Sequence, residues 1–174
     1  MDTLTDALIA RLNTILDSDN LPEIRFIGLH NSQKQYMENG EDYSFDMPAL
    51  FIEYVNTMEI GSVGGGVQVY EPLDVNFHLF QKRLNTEGEL ERNRDIKPLV
   101  KKIHAKIYKW KTDGSGYFDR VGMDLDYDHT NVHETILRYR SSWVDVDLAE
   151  PIGGEEKAPP FTTDITGQIV DEIG

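Results

Sequence analysis

Cysteine is absent from the 174 residues. That excludes a disulfide framework, a thiolate metal site and a thiol nucleophile, and it fits a chain that matures in a reducing cytosol. Long apolar runs are also missing: no segment approaches the roughly 20 residues needed to cross a bilayer, so no membrane partner is expected. The opening MDTLTDALIA lacks the basic start and apolar core of a signal peptide. Positive charge is scarce, with 17 Lys and Arg against 31 Asp and Glu and a net charge of -14. Phosphate binding is driven by counterion release to clustered bases, so non-specific affinity for nucleic acid is not expected.

The short list of bases is unevenly placed. Residues 1–91 sum to -11, residues 92–111 to +7 and residues 112–174 to -10. One segment opposes the rest of the chain. The remaining composition, 39% hydrophobic, 28% charged and 10% aromatic, is that of a globular domain with a real core, and the length suffices to bury one without staples.

Apolar periodicity predicts an amphipathic helix over 4–16, with Leu4, Leu8, Leu12 and Ile15 on one stripe and Thr3 as its cap. A strand-like run follows at 24–29, and the apolar run 49–55 after Pro48 reads as a strand buried on both faces. Beyond a glycine-rich loop at 61–66, Val67, Val69, Leu73, Val75, Phe77 and Leu79 alternate with polar partners, with Pro72 marking an edge or a bulge. That strand should pair antiparallel with the 49–55 run. Ile96, Leu99, Val100, Ile103, Ile107 and Trp110 make a second helical stripe, capped by Asp95 and with Pro98 in its first turn. Strands over 117–127 and 132–148 follow, the second with Leu137, Tyr139 and Trp143 opposite Arg138 and Arg140. From 150 onward, prolines, glycines and acids make an irregular arm ending in a short apolar-polar segment at 161–173. The expected fold is α+β: a mainly antiparallel sheet of about four to five strands with two helices on one face, formed by residues 1–149, and an extended acidic arm at 150–174.

Each candidate for chemistry has a plainer alternative. Gly61 to Gly66 lacks the Gly-Lys-Ser/Thr ending of a phosphate loop and runs into a strand, so a hairpin loop is the better reading. Asp124, Asp126, Asp128, His129, His133 and Glu134 are the densest set of oxygen and nitrogen ligands and could serve a calcium-binding module or a metal-dependent enzyme. Their spacing is neither that of an EF-hand nor that of a His-Glu-x-x-His helix, and a solvated hairpin face is preferred. His30, His78, His104, His129 and His133 sit in no recognised triad setting; His78 and His104 read as boundary residues of a strand and a helix. No catalytic residue, cofactor or metal ligand is assigned, and the chain reads as non-enzymatic. Lys101, Lys102, Lys106 and Lys109 cover one face of the second helix, better matched to an acidic neighbour than to a polyanion, with a merely solvated face as the equal alternative.

In its order of elements, over about residues 1–148, the chain resembles tail terminator and neck proteins of tailed bacteriophages. The resemblance lies in the N-terminal helix, the Pro-led strand at 48–55, the glycine-rich loop into a long strand ending Phe77-His78-Leu79-Phe80, the helix at 96–110 and the closing hairpin at 122–146. It implies a virion protein assembled in the bacterial host cytoplasm, forming a ring, a hexamer in that family, that ends the tail tube and joins it to the head connector. DNA would pass through the ring without specific binding, and another level of the neck is the alternative placement. Lys101, Lys102, Lys106, Lys109, the loop Gly64, Gly65 and Gly66, and Phe161, Ile165 and Ile169 of the arm are the expected contacts with neighbouring copies or partners.

Overall fold

A computed structural model describes residues 2–31, 45–55, 60–63, 67–82, 89–125 and 132–145. The elements run α1 (Asp2–Leu12), β1 (Phe26–Leu29), β2 (Ala49–Val55), β3 (Ile60–Val63), β4 (Val67–Lys82), α2 (Glu89–Ile107), β5 (Asp119–Leu125) and β6 (Val132–Asp145). The fold is α+β. One six-stranded sheet has the order β1-β2-β4-β6-β5, with β3 also paired to β4. Among the described residues every strand pairing is antiparallel except β1 with β2. No described helix is long and apolar enough to cross a membrane.

Alternation decides where the core lies. Leu50 and Ile52 of β2, Leu73, Val75, Phe77 and Leu79 of β4, and Leu137 and Tyr139 of β6 share one face, because every second residue of a strand points the same way. Leu4, Leu8 and Leu12 of α1 and Leu99, Ile103 and Ile107 of α2 bury against that face. Polar ties fix the helices there: Arg11 Nε donates to the Lys106 carbonyl (3.1 Å), and His104 Nδ1 lies 3.0 Å from the Tyr139 hydroxyl.

Several boundaries differ from the periodicity. Helix α1 already contains Thr3, which therefore does not cap it, and ends at Leu12; Ile15 still buries, as part of the turn that follows. Helix α2 begins at Glu89, so Asp95 and Pro98 lie inside it rather than at its start. Its early turns, Glu-Leu-Glu-Arg, are good helix formers without an apolar stripe, which is why periodicity alone missed them. Gly61 and Ser62 are strand, not loop: β3 pairs Val63 with Val67 and Ile60 with Tyr70. The long strand β4 does carry a bulge at Pro72, where its register with β6 shifts between Tyr70 and Leu73. One extra residue reverses the alternation. Tyr70, expected opposite Leu73, instead joins the helix-side core beside it.

Candidate functional site

The other face of the sheet carries no described helix, and it is graded along its length. At one end Ala49, Phe51 and Phe80 form a small buried cluster backed by Phe45 and Val132. Gly28 lets the Phe26 ring lie over this cluster: a Cβ there would sit 2.9 Å from the ring edge. At the other end, cross-strand ion pairs take over. Arg140 donates to both carboxylate oxygens of Asp74, its register partner (2.7 and 2.9 Å), and Arg138 pairs with Asp124.

Between the aromatic and the charged ends lies a polar cluster drawn from four strands or their ends. His30 directly follows β1, Glu53 is on β2, His78 on β4 and Glu134 on β6. The register explains the meeting: Phe51 faces His78, Glu53 faces Asn76, and His78 faces Ile136, two residues from Glu134. His78 Nδ1 donates to Glu134 Oε1 (2.7 Å), and Nε2 donates to Glu53 Oε2 (3.0 Å). Asn76 Nδ2 donates to the same Glu53 oxygen (2.7 Å). The His30 ring stacks on His78 with centroids 4.0 Å apart and planes 9° from parallel, and its backbone N–H holds the Ile52 carbonyl (2.9 Å).

Burial would lower the His78 pKa, but the bonds to Glu134 and Glu53 outweigh it and hold the ring above the ordinary histidine value. The two carboxylates thus favour the protonated form of His78. Burial, then the charge on His78, pushes His30 below its ordinary value. Burial would raise Glu53, yet the bonds from Asn76 and His78 keep its carboxyl below the usual range. The two stacked rings are thus shifted in opposite directions, and donor atoms of His30, Glu53 and His78 all lie within 4.8 Å of one another.

The sequence reading missed this cluster. His78 is no boundary residue: it is 5% exposed and bonded at both nitrogens. The available signal was Glu53, the one charge in the apolar run 49–55, since a half-buried carboxylate needs a partner. The acidic hairpin set is divided. Asp124 is exposed on an ion pair with Arg138, Glu134 is committed to His78, and Asp126, Asp128 and His129 lie outside the described residues.

The lysine face of α2 is partly used within the chain. Lys102 pairs with Glu23, and Lys109, just beyond the helix, pairs with Asp119. Lys101 and Lys106 make no ion pair among the described residues. Gly64, Gly65 and Gly66, and Phe161, Ile165 and Ile169 with the whole arm, lie outside the described residues.

Two rims of the sheet complete the candidate surfaces. The β1 edge exposes Phe26 and Leu29, and the β5 edge exposes Val121 and Met123, between 40% and 56% of each residue. No protein-family model matches the chain, and no curated protein matches it.

Proposed function

We propose that the chain is a non-enzymatic virion subunit that closes head-to-tail into a ring, six copies in number, ending a phage tail tube and joining it to the head connector. The observation that carries this reading is the pair of unlike apolar rims. The strand order sets β1 and β5 at opposite ends of one sheet, and each exposes large apolar side chains. A patch on one side of a subunit that meets a different patch on the next copy generates a ring when the rotation closes. Exposed edge strands with apolar side chains are templates for association. Lys101 and Lys106, on a chain of net charge -14, add a basic patch that fits an acidic neighbour. An acidic body also suits a channel through which DNA moves without sticking, since like charge repels phosphate.

The resemblance in element order supplies the placement on the tail. Electron microscopy of purified chain mixed with tail tubes tests it: rings seated on tube ends are expected. Chain that stays monomeric at high concentration with tubes present would overturn the reading.

A further inference from the structure

We propose that His30, Glu53 and His78 form a binding site for one divalent transition-metal ion of the zinc type, with Glu134 as the carboxylate that orients His78. This does not depend on the ring reading.

The chemistry of the donors selects the ion. Two imidazole nitrogens and one carboxylate suit zinc and its first-row neighbours, whereas calcium and magnesium take oxygen ligands almost throughout. The arrangement around His78 is that of a metal-bound histidine. Its Nδ1–H is held at 2.7 Å by Glu134, whose side chain is 10% exposed, and this aims Nε2 at Glu53 and the space beside His30. Histidines that ligate metals almost always donate the other ring N–H to a carboxylate or carbonyl. Two carboxylates, from Glu53 and Glu134, and a second imidazole stacked at 4.0 Å meet around this one ring.

Binding is an exchange. The Nε2 proton leaves to solvent and the cation takes its place, bonded to Nε2 and to a Glu53 oxygen. A tetrahedral ion about 2.1 Å from each ligand places neighbouring ligand atoms about 3.4 Å apart, so the 3.0 Å between His78 Nε2 and Glu53 Oε2 opens slightly and the 3.8 Å between His30 Nδ1 and Glu53 Oε1 closes. Rings only 9° from parallel cannot aim their in-plane nitrogens at one ion. The His30 ring must therefore turn out of its stack, and its side chain lies at the rim of the cluster, 19% exposed. Three protein ligands leave at least one position to water. The bound ion would clip the end of edge strand β1 to β2 and β4.

Chelator-treated full-length chain titrated calorimetrically with zinc chloride tests the site. One ion per chain is expected, with affinity reduced at least 100-fold in His30→Gln and in Glu53→Gln and about 10- to 100-fold in Glu134→Gln, while His104→Gln, on α2, binds as the parent does. Stoichiometric binding that survives in both His30→Gln and Glu53→Gln, or no binding by the parent, overturns the site. Should a variant fail to fold, cobalt(II) added to the parent decides. Intense visible absorption from a four- or five-coordinate ion supports the site, and the weak spectrum of an octahedral aquo-like ion contradicts it.

Discussion

His78 and Glu134 meet at 2.7 Å on the face of the sheet that no described helix covers, with only 7% and 10% of their side chains exposed. Fifty-six positions apart in sequence, they are brought together because β4 and β6 pair antiparallel along most of their length. The second bond, from His78 to Glu53, carries the link across to β2.

Removing Glu134 leaves the Nδ1–H of His78 buried without its acceptor while Glu53 still faces Nε2, which costs about 1–3 kcal/mol. Glu134→Ala should lose stability on that scale in urea denaturation. Glu134→Gln, which keeps a hydrogen-bond acceptor, should lose less. Equal losses for the two variants would mean that the retained hydrogen bond contributes nothing and that the loss is one of charge.

Tyr139 contributes to the alkaline limit, as does Tyr54, whose hydroxyl burial also raises. The Tyr139 ring is buried against Phe77, and burial pushes its hydroxyl up to about 12 from an ordinary 10. The folded value is the raised one, so this contribution is complete below pH 10 and is lost as pH rises through 12. The loss amounts to roughly 2–3 kcal/mol. Tyr139→Phe should flatten stability against pH in that window, read by denaturation at pH 9, 10 and 11; an unchanged slope would assign alkaline unfolding to another group.

Much of this was legible locally, and the remainder was not for physical reasons. The alternation from Leu73 to Leu79 and the pair Leu137 and Tyr139 identified the core face, because period 2 needs no knowledge of partners. Tyr70 lies on the face opposite to the simple alternation because a bulge adds one residue, and Pro72, which signals an edge or a bulge, does not say which. The His30, Glu53, His78 and Glu134 cluster was invisible because each member comes from a different part of the chain, and only strand register brings them together. Lys102 and Lys109 looked like free contacts for the same reason: their partners, Glu23 and Asp119, lie on other elements.

That intrachain pairing redirects the charge test. Lys101→Glu combined with Lys106→Glu should weaken assembly severalfold, with the deficit shrinking as salt screens it, and leave the circular dichroism unchanged. Sedimentation at low and high salt reads it. Unchanged assembly at low salt would leave α2 as a solvated face.

The apolar rims make a sharper demand. Leu29→Lys on the β1 side and Met123→Lys on the β5 side each place charge on an exposed position, so each should preserve the fold and abolish assembly. If the contact is head-to-tail, mixing the two variants cannot restore closed rings, because every ring would still contain defective junctions. Rings formed by either variant alone would remove that rim from the interface.

The most direct test of the ring is the solution mass of the full-length chain across a range of concentrations. The account predicts a discrete species of six times the 19.9 kDa protomer. A monomer of 19.9 kDa at every concentration, in low and high salt alike and with tail tubes present, would contradict it.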